Sequence, residues 1–195
     1  MNPKVYIIKN LFFLFVGSLY LYSCKTNPAK APADYEVASA WADMATLITK
    51  TTPSNSPTFA SRCFGYIGLT MYESVVNGFV EYQSIAPQLN GLGILALPDS
   101  GLHYNWALCL NAGQAEILRS IYIQTSDENK LRIDSLEKYF EKALKNISAD
   151  DGTNNKSILY GKEIAAKIFE WSKTDSGHRA YLRNFDKTLV FKEKP

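Results

Sequence analysis

The sequence predicts an all-α domain, a helical bundle of about five helices, on three observations. Apolar residues recur three and four apart through successive segments, which places them on one face of a helix. Serine, asparagine, glycine and proline fall between those segments, where helices start and stop. No stretch alternates polar and apolar residues for long enough to make a strand. The 195 residues are 46% hydrophobic and 21% charged, too apolar for a disordered chain. A formal net charge of +2, with lysines and acids interleaved, leaves no basic footprint for nucleic acid.

The helices follow a targeting segment. Lys4 and Lys9 precede an uncharged run from Asn10 to Ser23, the layout of a secretory signal and short for a spanning helix. Leu21-Tyr22-Ser23-Cys24 resembles the bacterial lipobox, an aliphatic residue followed by two tolerant positions and cysteine. Residues 1–23 are therefore expected to be a lipoprotein signal peptide, and Cys24 the lipidated mature N-terminus. Residues 24–33, with Pro28 and Pro32, read as a short tether. The alternative is an uncleaved N-terminal membrane anchor. Both place the domain at a membrane surface outside the cytoplasm, as an exported lipoprotein of the bacterial envelope. Several acyl chains on Cys24 would hold it firmly, at about 0.8 kcal/mol per buried methylene.

The first helix is expected from Asp34, read as its N-cap, through the stripe Val37, Trp41, Met44 and Ile48 to a stop before Pro53. Ser56 and Pro57 open the second. Only Arg62 and Glu73 are charged between Phe59 and Val76, so this helix is expected to be the central, buried one. Gly65 and Gly68 are expected to let a neighbour approach closely, and Asn77-Gly78 to end the helix. Residues Val80 to Leu102 lack periodicity and read as an irregular connection. A third helix is expected over His103–Ile123. A fourth starts at Thr125-Ser-Asp-Glu128, which has capping-box spacing, and carries Leu136, Phe140 and Leu144 inward. After a polar turn from Asn146 to Asn155, a fifth runs to about Lys173, with Gly177 as its stop.

Candidate chemistry is sparse. Ser176-Gly177-His178-Arg179 contains a Ser-Gly-His step of the kind used where backbone amides and a histidine converge on an oxyanion. It also falls where a helix should end, so glycine is expected there for backbone reasons alone. His178 is a weak catalytic candidate. His103 has no acid or histidine at ligand spacing. Arg62 and Glu73 lie eleven residues apart, on one helix face but separated by about 16 Å of rise, too far to pair with each other. They are read either as structural charges paired across the bundle or as braces for a site completed by other residues. Asp150-Asp151-Gly152 with Asn154 and Asn155 lacks the alternating ligands and terminal glutamate of a calcium loop and reads as a solvated turn. The Asn146-Ile-Ser148 sequon has no meaning in a bacterial lipoprotein. Cys63 and Cys109 read as two small buried hydrophobes, with a disulfide between them as the alternative. No nucleophile–base–acid set, phosphate loop or metal site can be assembled.

The second helix, Phe59-Ala-Ser-Arg62-Cys-Phe-Gly-Tyr66-Ile-Gly-Leu-Thr-Met-Tyr72-Glu73-Ser, resembles a segment near the N-terminus of bacterial vanadium-dependent haloperoxidase-like proteins. These belong with the type 2 phosphatidic acid phosphatases. Gly161-Lys-Glu-Ile-Ala-Ala-Lys-Ile-Phe-Glu-Trp171, then Asp175-Ser-Gly-His178 and Tyr181-Leu-Arg-Asn-Phe185, are similar to later segments of the same proteins. The resemblance runs from Asp34 to about Lys187. It implies an all-helical fold, here a domain over 34–187, whose catalytic half binds vanadate or phosphate. The family's catalytic motifs are a lysine ahead of Arg-Pro, a Pro-Ser-Gly-His segment and an arginine followed by histidine and aspartate. They do not occur in order in this sequence, and no catalytic residue carries over. Residues 188–195 are then expected to begin a linker to a C-terminal half. The implied partners are that half or a second copy of the chain, with vanadate or phosphate as cofactor only when the half is supplied. An envelope binding or assembly lipoprotein without enzymatic activity is the rival expectation.

Overall fold

The structure, a computed structural model, describes residues 31–145, 150–174 and 177–183. The signal segment, Cys24, most of the tether and the expected linker lie outside the described residues. Ala31 onward forms one compact unit. Its elements are α1 (Asp34–Thr51), α2 (Pro57–Glu73), α3 (Trp106–Ile121), α4 (Asp127–Lys145) and α5 (Asp151–Thr174), with short 3-10 turns at Val76–Gly78, Ala86–Gln88 and Ala180–Arg183. The all-α expectation holds: among the described residues there is no strand.

Each helix starts on a side chain that satisfies free first-turn amides. In α1 the cap position is Ala33 rather than Asp34. Glu36 reaches back to the Ala33 amide at 2.7 Å, and Asp34 sits in the first turn, where an acid favours the helix dipole. Ser56 Oγ accepts from the Phe59 amide at 3.3 Å to open α2. Asn105 Oδ1 accepts from Leu108 at 3.2 Å, so α3 begins after His103 rather than at it. Ser126 caps α4 by accepting from Asn129 at 3.2 Å. Its neighbour Thr125 is instead buried and shares a 2.7 Å hydrogen bond with Thr52. Asp150 accepts from Gly152 and Thr153 amides at 3.0 and 3.1 Å. That carboxylate starts α5 at Asp151, four residues ahead of the expected Asn155, and the acidic cluster read as a solvated turn is a helix cap.

The central helix is α3, not α2. Twelve of its 16 residues are buried, against seven of 17 in α2. Small residues conceal this role in the sequence: Ala107, Ala112, Gly113 and Ala115 allow neighbours close on all sides, while Asn111 and Gln114 bury polar groups that serve as ties. The Trp41 indole donates to Asn111 Oδ1 at 2.9 Å, and Asn111 Nδ2 donates to the Glu137 carbonyl at 3.0 Å, joining α1, α3 and α4. Gln114 Nε2 donates to the Ile67 carbonyl of α2 at 3.1 Å. These bonds specify register where greasy contacts alone would let helices slide.

Against α5, α3 approaches to backbone contact. A Cβ on Gly161 would lie 2.0 Å from the Cys109 carbonyl oxygen, and one on Gly113 would lie 2.6 Å from Ser74 Oγ and 3.1 Å from the Gly161 carbonyl. Outside this crossing α4 is the solvent-facing helix. Arg119 of α3 bridges to Asp134 at 2.6 Å and to Glu137, and Arg132–Glu128 and Lys145–Glu141 pair along its surface. Such exposed pairs contribute about 0.3–0.5 kcal/mol each.

The connection between α2 and α3 is irregular, as expected, but tied down. Buried Glu73 accepts amides of Ile85 and Ala86 at 2.9 and 3.2 Å. The Tyr72 hydroxyl donates to the Gln83 carbonyl at 2.7 Å, and the Trp171 indole to the Asn90 carbonyl at 3.0 Å. Among the described residues no helix is long and apolar enough to cross a membrane.

Candidate functional site

The Ser-Gly-His step follows the last turn of α5. Ser176 lies outside the described residues. Gly177 and His178 both donate their amides to the Ser172 carbonyl, at 3.0 and 3.1 Å, which ends the helix in the manner expected of Gly177. The half-buried His178 ring packs edge-on against Phe169, with centroids 6.3 Å apart. An oxyanion cradle needs amides aimed at the ligand. Here the two amides are already engaged by Ser172, so vanadate or phosphate does not fit this run. No mechanism is routed through it.

The structure separates Arg62 from Glu73. Geometry puts both on one face of α2, but the loop from 79 to 90 folds over only the C-terminal end of that face. Glu73 is therefore 1% exposed, while Arg62 stays exposed. The expectation of two buried charges is corrected, and so is the expected cross-bundle ion pairing of Glu73, which caps a loop through backbone amides. A carboxylate accepting two amides is stabilised without a cation. Gly65 and Gly68 are corrected likewise. Both are exposed, and among the described residues a Cβ at either would meet nothing within 4 Å.

These departures together define a groove of about 520 Å³. Phe64, Leu69 and Tyr72 of α2 form one wall, Ile85 and Leu89 of the loop the other, and Trp171 of α5 one end. Tyr66 packs edge-on against Trp171 at 5.9 Å. Gly65 and Gly68 line it, and Arg62 stands at its margin. Phe64 is 43% and Ile85 37% exposed, so the groove opens to water with apolar side chains facing out. The sequence carried one sign of it: Phe64 falls off the inward stripe of Cys63, Ile67 and Thr70.

The remaining candidates are structural or solvated. His103 is exposed. Cys63 and Cys109 are free and buried, which excludes the disulfide. Burial pushes each thiol up to about 12, against weaker opposing hydrogen bonds from Tyr122 and Ser157 respectively. Neutral buried thiols are poor nucleophiles. Among the described residues no three His, Cys, Asp or Glu side chains converge as a metal site.

Comparison with known proteins gives one informative match. No family profile matches the chain, and no curated protein does. Among solved structures, the chain is similar to the first bacterial vanadium-dependent iodoperoxidase, with a TM-score of 0.63 and 27% identity. The match covers 84% of this chain but 37% of that one; the chain thus corresponds to little more than a third of its neighbour's length. The helical bundle carries a vanadium haloperoxidase-like fold.

Proposed function

We propose that this chain is the N-terminal helical domain of an exported vanadium haloperoxidase- or acid-phosphatase-like lipoprotein, inactive alone and completed by a catalytic half. The observation that carries this reading is the uneven match: most of this chain, yet only 37% of the iodoperoxidase. Two features support it. The sequence lacks the Lys…Arg-Pro motif and the Arg-His…Asp arrangement, and the amides of its Ser-Gly-His run are engaged within the helix end. The domain would then supply a rigid platform and leave oxyanion binding to its partner.

The test is turnover by the purified full-length chain with vanadate, peroxide and halide, and separately with a phosphate monoester. Neither activity is expected. Turnover that disappears in His178→Ala would overturn the reading and return the site to this chain. Cys24 is proposed to carry the lipid, with the protein anchored at the envelope membrane. Metabolic labelling with a radioactive fatty acid should mark the wild-type chain and spare Cys24→Ala. Equal labelling of both would remove the anchor from the proposal.

A further inference from the structure

We propose that Asn90–Gly91 is a site of uncatalysed covalent modification, where the Gly91 amide closes on the Asn90 side chain, and that the fold shields the identical pair Asn77–Gly78 from the same reaction. The inference is independent of the proposed function. Its chemistry is a ring closure of a thermally labile asparagine. The Gly91 amide nitrogen attacks Cγ of Asn90, the new N–C bond replaces the Cγ–Nδ2 bond, and ammonia leaves carrying the amide proton. Water then opens the five-membered imide at either carbonyl. One opening gives aspartate, and the other gives isoaspartate, whose main chain runs through the side-chain carbon. Glycine suits the following position because it has no Cβ to crowd the attacking nitrogen.

Exposure does not separate the two pairs, for all four residues are exposed. Hydrogen bonding does. At the first pair both reacting groups are held. Asn77 Nδ2 donates to the Tyr160 hydroxyl at 2.9 Å, and the Gly78 amide donates to the Val75 carbonyl at 2.9 Å. Gly78 also lies so close to Trp106 that an added Cβ would sit 2.5 Å from the indole nitrogen, which leaves that backbone little room to turn.

At the second pair neither the Asn90 side chain nor the Gly91 amide is hydrogen-bonded to any described residue. The two residues are the middle of a turn closed by the Leu92 amide on the Leu89 carbonyl at 3.3 Å, with Gly91 at φ +81°. The central peptide of such a turn keeps its N–H outside the closing bond. Its carbonyl accepts the Trp171 indole N–H at 3.0 Å. That bond favours the negative charge that gathers on the oxygen when the nitrogen gives up its proton. The reaction adds a carboxylate to the loop. In the isoaspartate product, the carbonyl that Trp171 holds leaves the main chain and becomes part of a free carboxylate.

The experiment is incubation of the purified full-length chain at mildly alkaline pH, native and in urea, then digestion at glutamate and mass spectrometry. Cleavage at Glu81 puts Asn77 and Asn90 in different fragments. In the native chain, the Asn90 fragment should gain the mass of amide-to-acid conversion about tenfold or more faster than the Asn77 fragment. That ratio is the scale of breaking one or two hydrogen bonds before reaction. In urea the two should convert at similar rates, because the dipeptide is the same. An isoaspartate-directed methyltransferase should label the native product, and Asn90→Gln should abolish both the label and the mass gain of its fragment. Equal native rates at the two sites, or faster conversion at Asn77, would overturn the inference. So would aspartate formed without isoaspartate, which is direct hydrolysis, or a mass gain that persists in Asn90→Gln.

Discussion

Two pairs of glycines in this molecule sit at opposite ends of one physical scale. Gly113 and Gly161 lie where α3 and α5 cross, so tightly that an added methyl group on Gly161 would overlap the Cys109 carbonyl. Gly65 and Gly68 lie on the outer face of α2, where no described residue comes within 4 Å of an added methyl group. Gly65 and Gly68 share one helix, whereas Gly113 and Gly161 belong to two, and all four have apolar residues beside them in the sequence. What separates them is tertiary: one pair faces a neighbour, and the other faces a groove open to solvent. A glycine in a helix thus marks a place where the backbone is bare, and only the fold reveals whether anything has come to meet it.

That contrast can be broken most severely at Gly161. Gly161→Ala sets a methyl group against backbone rather than a movable side chain, so α3 and α5 must part. We expect a loss of about 3 kcal/mol or more, or failure to fold, read by urea denaturation. Next comes the pin beneath the groove. Glu73→Ala removes the acceptor for two backbone amides at a buried position and should cost about 2–3 kcal/mol. Amide exchange at Ile85 and Ala86 should quicken while that in α3 is preserved; unchanged exchange there would show that the loop holds without its carboxylate.

Gly113→Ala should be milder, about 1–2 kcal/mol, because the Ser74 hydroxyl it meets first can rotate away. Gly65→Ala should act in the opposite direction and stabilise by about 0.5–1 kcal/mol, since alanine relieves the helix of glycine entropy without a clash. A destabilised Gly65→Ala would mean that the outer face is covered in the isolated chain after all, and would erase the comparison.

The smallest effect is on the thiols. Cys63 lies on the inner face of α2 and Cys109 within the glycine crossing, and both are raised by burial from 9.0 to about 12. At pH 8 neither should react with a disulfide reagent until denaturant is added. A folded pKa above the unfolded one means that the associated stability is fully present below about pH 9. It is lost as pH rises toward 12, because the unfolded chain releases those protons first. Buried Tyr122, raised in the same direction by burial and by Cys63, steepens that alkaline limb. Melting temperature measured from pH 7 to 11 should be flat below about 9 and fall above it.

The helices were legible because their evidence is local. Val37, Trp41 and Ile48 of α1 and Phe140 and Leu144 of α4 are spaced for one face and are buried as expected. Caps were legible to within a few residues, and they failed where two polar residues compete: Asp150 took a role assigned to a turn, and Ser126 one assigned to Thr125. Centrality was not legible. Few charges in α2 suggested burial, yet Phe64 faces water, whereas α3 hides its position behind alanine, glycine and buried amides. The groove was illegible for a further reason. Half of it is the loop after α2, whose path depends on a carboxylate, a phenol and an indole reaching carbonyls and amides far along the chain. Periodicity carries no information about such bonds.

The α3–α5 crossing also dictates when this domain can exist. Cys109 meets Gly161 across 52 positions of sequence, and α5 is the last long helix of the described chain. A chain emerging from the ribosome in order can form α1 to α4, but α3 then has one flank wet, with the Cys109 carbonyl facing solvent. The core closes only after α5 has been synthesised through Ile168. Until then the nascent chain is a substrate for holding factors rather than a folded body, and a ribosome stalled before Asp151 would display a helix that has nowhere to bury its side.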